Sequence, residues 1–550
     1  MPASLIPKTV SVLREGYSVD RLRSDAISGL TVAIVALPLS MAIAIASGVS
    51  PDRGLYAAII GGFFVSLLGG SRHQIGGPAG AFIVLVAASV ERHGIDGLLL
   101  AVMVSGLIMI AAGYLRLGAY IRFIPYPVTV GFTAGIALII FASQLSAIFG
   151  LDLPDKEPGP FAEKVAYLSH YVGTTNLAAL GIAALTIAII IAVKRFRPGW
   201  PGMLIAVAVA SLVALALPVE TIGSQFGGLP RGLQTPAMPA FSLQKLVEVL
   251  PDAFAFALLG SIESLLSAVV ADGMTGRRHR SNMELIGQGV ANIASGLFGG
   301  ICVTGTIART ATNVRAGATS PFSGMLHAAF LLLFMIVAAP LARYIPIPAL
   351  AGVLAVVAWS MVEKAAIRTL IGTSRGDAVI LIVTFLLVVF RDLTEGIVAG
   401  FALGAVLFID RMGRNVAVSP YADYHAQPES PIANTDPDTV VYRISGAFFF
   451  GAAAAVGSVL DRIASTARYF VLDLSEVPYL DSSAANVLES TLRKAENGNV
   501  RVVLSGSSEE IRAILKTHGI SEPRVIYARD LDDAALRIEA LKTESRSPAR

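Results

Sequence analysis

The sequence predicts an α-helical polytopic membrane protein with a soluble α/β domain at its C-terminal end, and three observations support this fold class. Of the 550 residues, 54% are apolar and only 15% are charged, whereas soluble chains are nearer one quarter charged. Of the 42 basic and 39 acidic residues, 32 lie in residues 421–550. The preceding residues contain repeated apolar runs of about twenty residues, the length that crosses a bilayer.

Composition also excludes several function classes. The net charge of +3 is too small and too scattered to indicate a nucleic-acid partner. A single cysteine, Cys302, excludes an internal disulfide and a cysteine-built metal cluster. His73, His93, His279 and His327 lack metal-ligand spacing, and no phosphate-binding loop or nucleophile elbow is present. We therefore expect no enzyme, no metal site and no cofactor.

Apolar runs predict fourteen spanning segments. They cover residues 25–47, 54–69, 77–90, 96–115, 127–149, 176–193, 201–217, 252–271, 284–299, 305–316, 322–341, 348–362, 376–390 and 393–410. The first run is longer than a signal-peptide core, so it is interpreted as a spanning helix. Segments 77–90 and 305–316 are short and rich in Gly or Thr, which is typical of half-helices.

The distribution of basic residues orients these spans. Lys and Arg are in excess in cytoplasmic loops, and with the N-terminus inside, every even-numbered connection is basic. The basic residues concerned are Arg72, Arg116, Arg122, Lys194, Arg195, Arg197, Arg277, Arg278, Arg280, Arg315, Lys364, Arg368, Arg375, Arg411 and Arg414. The longer loops on the other side are mixed or acidic. This pattern predicts a bacterial inner-membrane protein with both termini in the cytoplasm.

Internal repetition supports the same span count. Asp25 and its apolar run correspond to Asp252 and its run, and Gly76–Gly77 corresponds to Gly305. The second copy begins after seven spans, an odd number, so the repeats are inverted. Interrupted helices at matching positions of an inverted repeat indicate a substrate site near the bilayer midplane.

The sequence divides into five regions. We expect a cytoplasmic N-terminal segment at 1–23, a transmembrane domain at 24–414, a proline-containing linker at 415–436, an α/β domain at 437–540 and a disordered tail at 541–550. Within the transmembrane domain, repeat one covers about 24–217 and repeat two about 252–411. In the α/β domain, short apolar strands alternate with helices, beginning at Val440–Ile444.

Glu263 is the acid in the interior of the eighth predicted span. A carboxylate at membrane depth is costly, so it is a functional candidate by default. Gly260 and Ser267 share its helix face, which therefore looks toward protein or water. We expect Glu263 to couple transport to a proton or cation that neutralises it. The alternative is a structural acid paired with an Arg or a hydroxyl group.

Arg309 lies one turn into the second half-helix. A half-helix start offers unpaired N–H groups and partial positive charge, and the Gly and Thr residues before it allow an oxyanion to approach the backbone. Gly76–Ala81 opens the first half-helix with Gly and Pro in the same way. If the two half-helix starts face each other, they form an anion site. The alternative is that Arg309 only neutralises Glu263.

Three motifs together resemble the SulP family of anion transporters, to which pendrin and prestin belong. They are Thr304–Ala316, Gly77–Ala79, and the tail motifs Leu472–Ser475 with Tyr479–Ser483. The resemblance covers about residues 15–540. The tail resembles a STAS domain, the fold of bacterial anti-sigma-factor antagonists.

The resemblance implies a seven-plus-seven inverted repeat folded into core and gate domains, a homodimer, and elevator-type movement of the core. It places the anion between the third and tenth spans. The implied substrate residues are Ile43, Ala79, Gly80, Ala81, Gly305, Thr306, Ile307, Ala308 and Arg309. Ile43 and Ala79 stand where members with monovalent-anion preference carry aromatic residues, which suggests a roomier pocket. Related cyanobacterial bicarbonate transporters carry an Asp-based sodium site where this chain has Glu263, which favours proton coupling.

The expected function is therefore secondary active, proton-coupled symport of sulfate, bicarbonate or a C4-dicarboxylate. The alternatives are a sodium-coupled bicarbonate transporter and an anion channel regulated by the STAS domain. A nucleobase permease is disfavoured, because those proteins lack such a tail and use carboxylates on both the eighth and tenth spans. In the tail, Ser483 stands where antagonist proteins are phosphorylated and bind a regulator, although a helix cap at Asp481–Ser483 explains the same residues.

Overall fold

The computed structural model describes residues 5–120, 124–155, 157–420, 438–463 and 468–546. It separates into two compact units, one up to Phe401 and one from Ala402 onward. The prolines of the predicted linker at 428, 431 and 437 lie outside the described residues. Each unit is described by itself below.

The first half of the membrane unit is almost entirely helical. Its helices are α1 (Lys8–Arg14), α2 (Val19–Ala46), α3 (Pro51–Tyr56), α4 (Gly62–Leu68), α5 (Ile83–Tyr114), α6 (Tyr126–Ser143), α7 (Leu145–Phe149), α8 (Phe161–His170), α9 (Leu177–Phe196), α10 (Gly202–Ala214) and α11 (Ile222–Phe226). A π-turn at Ala57–Gly61 joins α3 to α4, and a 3₁₀ turn at Gly80–Phe82 leads into α5. At Gly94 the φ angle of 69° interrupts α5, so the predicted third and fourth spans meet there.

The second half repeats this pattern. Its helices are α12 (Leu243–Thr275), α13 (Ser281–Leu297), α14 (Ile307–Arg315), α15 (Phe322–Ala342), α16 (Ile347–Met361), α17 (Lys364–Thr373), α18 (Arg375–Phe390) and the beginning of α19 (Leu393–Arg414). From Ala402 onward, α19 belongs to the second unit. Helix covers most of every predicted apolar segment, and eight helices in the described part of the chain are long and apolar enough to cross a membrane. The number of fourteen spans stays a prediction.

Polar side chains define several helix starts. Ser18 caps α2 by accepting from the N–H of Arg21, and Ser242 caps α12 by accepting from that of Lys245. A side-chain oxygen at this position satisfies a donor that the first turn leaves free. The cap of α12 lies ten residues before the predicted start of the eighth span, because apolar content marks the bilayer and not the helix end.

Packing sorts the membrane helices into two groups. Helix α5 packs on α12 and α13, and α2 packs on α15, whereas α6 packs on α16 and α18, and α9 packs on α10 and α16. Glycines permit the closest approach in the first group: a Cβ atom on Gly106 would lie 2.4 Å from the carbonyl oxygen of Gly289. The two groups agree with the core and gate that the family resemblance implies.

A two-stranded sheet joins the two repeats. Strand β1 (Gly76–Gly77) pairs antiparallel with β2 (Thr304–Gly305), so that Gly76 faces Gly305 and Gly77 faces Thr304. Each strand runs directly into a half-helix. The starts of the two half-helices therefore lie side by side, as the inverted repeat predicts.

The second unit is an α/β domain around a five-stranded sheet. The strands are β3 (Ala417–Pro420), β4 (Thr439–Ser445), β5 (Tyr469–Glu476), β6 (Arg501–Ser505) and β7 (Ile526–Ala528), in that spatial order. Only β3 is antiparallel to its neighbour. The helices are α20 (Phe450–Ile463), α21 (Ser482–Asn497), α22 (Glu509–Thr517) and α23 (Leu531–Arg546). Successive residues of β5 enter apolar clusters on opposite faces, as expected for a strand covered on both sides.

Two boundaries differ from the sequence prediction. Residues 417–420 form β3, although the prediction assigned them to the linker, because the backbone pairing with β4 that orders them leaves no apolar signal. Helix α23 continues through residues 541–546, where a disordered tail was predicted. Leu541 packs against the apolar cluster that contains Ala534 and Ile538, whereas the five residues after it are polar, so their pattern does not mark the helix end.

Candidate functional site

The site begins with two helix starts that carry no side-chain cap. Ala79 precedes the first half-helix and Thr306 precedes the second, both in extended conformation, and neither side chain accepts a hydrogen bond from the turn that follows. Thr306 instead donates through its backbone N–H to the carbonyl of Ile75 (3.0 Å). Uncapped first turns expose N–H donors and a partial positive charge, so this region is suited to an anion.

Arg309 adds a full positive charge between the two starts. Its side chain is 3% exposed, and Nη2 donates to Ser40 Oγ (3.3 Å) and to the carbonyl of Pro78 (3.2 Å). Its Nε and Nη1 atoms have no hydrogen-bond partner among the described residues. A buried cation with spare donors is costly unless something occupies them. Arg309 thus reaches from α14 to the first half-helix with two donors available.

Gly77 leaves the space that the guanidinium fills. A Cβ atom at this position would lie 2.2 Å from Arg309 Nη1 and 3.4 Å from its Cζ. Any side chain here would collide with the guanidinium where it now lies. The glycine that the sequence analysis assigned to backbone approach therefore also holds Arg309 close to the sheet.

Glu263 lies on α12, and its carboxylate is also incompletely satisfied. Its Oε2 atom is buried and has no hydrogen-bond partner among the described residues. That oxygen therefore does not bond to Arg309 directly, although the sequence alternative has the two groups neutralise each other. Both groups keep hydrogen-bonding capacity that a bound proton or anion could use.

The other predicted site residues differ in exposure. Ile43, Ala79, Ala81, Gly305 and Thr306 are buried, Gly80 and Ile307 are partly exposed, and Ala308 is exposed. Ile43 follows Ser40 by one helical turn, so it lies on the face of α2 that meets Arg309. A methyl group on Gly80 would lie 3.1 Å from Ile140 Cδ1 of α6. The first half-helix start therefore abuts a helix of the other packing group.

Glu284 is a buried acid that the sequence analysis did not single out. Its Oε2 accepts from the backbone N–H groups of Gly70 (2.7 Å) and Ser71 (2.9 Å). Its Oε1 accepts from the side-chain amides of Gln74 (3.0 Å) and Gln288 (3.2 Å). The residue is fully buried. Glu284 thus fixes the segment that leads from α4 into β1 and the first half-helix.

The face of α13 that carries Glu284 also holds the segment that leads from α13 into β2 and the second half-helix. The Asn292 amide makes two hydrogen bonds to the backbone of Val303, one to its oxygen and one from its N–H, both 2.8 Å. Ser295 Oγ donates to the carbonyl of Ile301 (2.7 Å). The polar face consists of Glu284, Gln288, Asn292 and Ser295. The helical spacing of these four polar residues on an otherwise apolar span is the sequence pattern that could have identified this face. Glu284 is the first residue of the predicted span, and an acid at a span end is common and does not indicate a buried role.

The repeat-related aspartates occupy equivalent roles. Asp25 accepts from the backbone N–H of Thr319 (2.6 Å) and of Ser320 (3.2 Å), between α14 and α15. Asp252 accepts from Arg92 Nη2 (2.7 Å), next to the interruption of α5 at Gly94. Each acid therefore holds the far end of the half-helix that belongs to the other repeat.

In the α/β unit, the Asp481 side chain caps α21. Its carboxylate accepts from the N–H of Ala484 (2.9 Å) and from that of Phe450 (3.0 Å). Ser483 is the second residue of the helix and is partly exposed. Further along α21, hydrogen bonding to Arg493 holds the pKa of Glu489 below its ordinary value. The capping interpretation of the motif accounts for Asp481 and leaves the Ser483 hydroxyl unassigned.

Comparison with known proteins extends over nearly the whole chain. Residues 22–384 match the sulfate permease family, and residues 430–530 match the STAS domain. The chain is 38% identical over 512 residues to YvdB of Bacillus subtilis, which carries the name of a sulfate transporter, and the match covers 92% of this chain and 95% of that protein. It is 31% identical over 511 residues to the bicarbonate transporter BicA of Synechocystis, covering 90% of each chain.

Solved structures give the same picture. The transmembrane domain of a cyanobacterial bicarbonate transporter, BicA, has a TM-score of 0.61 and 32% identity, covering 69% of this chain and 98% of that one. The murine Solute Carrier 26 family member A9 in its inward-facing state has a TM-score of 0.85, covering 98% of this chain and 94% of that one. At 19% identity, the second likeness concerns the fold alone.

Proposed function

The chain belongs to the sulfate permease family, a family of sulfate and bicarbonate transporters that are not enzymes, and on that premise we propose that it is a proton-coupled secondary active anion transporter. Its cargo is an oxyanion or carboxylate: sulfate, bicarbonate or a C4-dicarboxylate. The observation that carries this proposal is the buried Arg309 guanidinium, whose Nε and Nη1 donors are unused between two uncapped half-helix starts.

The anion binds between the segments Ala79–Ala81 and Thr306–Ala308, with Arg309 as the compensating charge. Backbone N–H groups at both starts solvate the oxygens of the anion, which replaces water without a protein rearrangement. The aliphatic side chains of Ile43 and Ala79 occupy less space than the aromatic residues at these positions in members with monovalent-anion preference, which leaves room for a tetrahedral or elongated anion. This set combines directional donors with one fixed charge, so it favours oxyanions over a spherical halide.

Glu263 couples proton binding to anion binding. When the carboxylate is charged, it repels an anion in the neighbouring site, whereas a proton on Glu263 removes that repulsion. Loading the anion and loading the proton are therefore mutually favourable. A proton gradient across the membrane then drives uptake against the anion gradient.

Transport proceeds by movement of the α2–α5 and α12–α15 group past the other helices, as in an elevator. The polar contacts of Glu284 and Asn292 support this, because they tie both half-helices to α13 as one body. Dimerisation through the remaining helices, an inner-membrane location with both termini cytoplasmic, and regulation through Ser483 complete the proposal.

The experiment is uptake of labelled sulfate, bicarbonate and fumarate into proteoliposomes, with and without an imposed pH step. We expect accumulation of at least one anion above its equilibrium level only when the outside is acidic. A channel would equilibrate the anion without accumulating it, and a sodium-coupled transporter would require a sodium gradient in place of the pH step. Either result would overturn proton symport.

A further inference from the structure

A cavity outside the anion site lies at the connection between α12 and α13. It has a volume of about 480 Å³ and six lining residues. These are Asp272, Gly276, Arg277, Arg278, His279 and Ser281. Because α12 is a predicted span that ends at Thr275, the cavity lies where that helix leaves the bilayer.

Basic side chains outnumber acidic ones in the lining of this cavity, where Arg277 and Arg278 stand against Asp272. Arg277 and Arg278 are exposed, and neither forms an ion pair with a described residue. Lys8 adds to the charge, since its Nζ atom donates to the carbonyl of Arg278 (2.9 Å). Burial, together with the nearby charges of Arg280 and Arg72, lowers the pKa of the Lys8 ammonium. The region therefore carries a net positive charge, which a bound anion would neutralise.

The acid in the cavity wall is occupied by the wall itself. Asp272 Oδ2 accepts from the backbone N–H of His279 (3.0 Å) and lies 2.7 Å from its Nδ1 atom. The other ring nitrogen of His279 lies 3.0 Å from Ser281 Oγ. This hydrogen-bonded network fixes the shape of the connection and directs the Asp272 carboxylate to His279. Arg277 and Arg278 therefore keep their donors for a ligand in the cavity.

An apolar surface leads directly to this cavity. On the last turns of α12, Val269, Val270 and Met274 are exposed by 54%, 36% and 40%. In a membrane protein, such a face contacts acyl chains. A basic concavity at the end of an acyl-contacting helix face matches an amphiphile that has one anionic end, and a soluble anion would make no use of the apolar part.

We propose that this cavity binds the phosphodiester headgroup of an anionic phospholipid, with an acyl chain along the exposed face of α12. Arg277 and Arg278 hold the phosphate as charge-assisted donors, and the exposed aliphatic residues hold the chain. The site is separate from the anion pathway, and it does not depend on which anion is carried.

The test measures lipid binding to the purified full-length protein by native mass spectrometry in neutral detergent, with phosphatidylglycerol and phosphatidylcholine as probes. Phosphatidylglycerol is expected to bind more tightly. The double variant Arg277→Gln, Arg278→Gln should bind it about 25-fold more weakly, because each basic residue near an anionic lipid contributes roughly a fivefold change. Both side chains are exposed, so thermal unfolding should be unchanged.

The matched control is Arg195→Gln, Arg197→Gln at the end of α9, which removes two exposed charges elsewhere and should leave binding as in the wild type. Equal binding of the two lipids by the wild type, or an equal loss in both double variants, would overturn the site. Glycerol 3-phosphate is the soluble arm: if it bound as tightly as phosphatidylglycerol, the lipid assignment would be wrong. Because no transport is measured, these outcomes are independent of the proposed symport.

Discussion

Replacing Gly77 by Ala isolates the contribution of Arg309 to anion binding. The new methyl group would lie 2.2 Å from Arg309 Nη1, whereas ordinary contacts begin near 3.4 Å, so the guanidinium must move by about 1.2 Å. The other close neighbour is Ala58 Cα, at an acceptable 3.7 Å. The collision thus involves the end of a flexible side chain, and the backbone keeps its place. Gly77→Ala should fold normally while Arg309 loses its contacts to Ser40 and Pro78.

The expected loss is that of a charge-assisted hydrogen bond between the displaced guanidinium and the anion, which contributes about 1.5–3 kcal/mol and corresponds to roughly 10- to 150-fold weaker anion binding. Equilibrium binding of labelled substrate to the detergent-purified variant measures this loss, and thermal unfolding checks the fold. Gly273→Ala on α12 is the matched control, because a methyl group there meets nothing within 4 Å. Wild-type affinity in a correctly folded Gly77→Ala protein would refute the assigned role of Arg309.

Three further predictions concern the charge, the scaffold and the tail. Arg309→Ala should cost a divalent anion about twice the binding free energy that it costs a monovalent one; unchanged affinity for every carried anion would contradict this. Asn292→Ala should destabilise the fold by about 2–4 kcal/mol, since it orphans both backbone groups of Val303, and a midpoint of thermal unfolding equal to that of the wild type would argue against it. Truncation after Arg414 should lower activity or stability without changing the preferred anion in competition assays.

The truncation has a visible physical basis at the end of α19. A methyl group on Gly413 would lie 2.8 Å from the carbonyl of Gly451, and one on Gly451 would lie 3.2 Å from Ile409 Cγ2. The last turns of α19 therefore pack closely on the start of α20. Removing the tail uncovers this helix end, which is why we expect lower stability and no effect on the anion site.

Much of the membrane unit follows from sequence patterns that have a single physical cause. Long apolar runs predict helices because lipid cannot satisfy free backbone groups. Gly and Pro before short segments predict the half-helices, and the repeat predicts that their starts meet. The pairing of Gly76–Gly77 with Thr304–Gly305 agrees with that expectation.

What the sequence could not supply depends on contacts between distant residues. Glu284 is satisfied by backbone groups more than 200 positions away, so its spacing alone gives no partner. The free donors of Arg309 depend on the position of Ser40 and Pro78, which no local pattern encodes. Strand β3 is ordered by pairing with β4 across residues that lie outside the described part of the chain, and its own side chains do not indicate a strand.

Glu263 is proposed to carry the coupled proton, and accumulation of the labelled anion by Glu263→Gln in proteoliposomes is the measurement that tests this role. Gln keeps the size of the side chain and removes only its protonation. With the outside acidified, the wild type should concentrate the labelled anion, whereas the variant should bind the anion and equilibrate it without concentrating it. Uphill uptake by Glu263→Gln at the wild-type level would contradict the account.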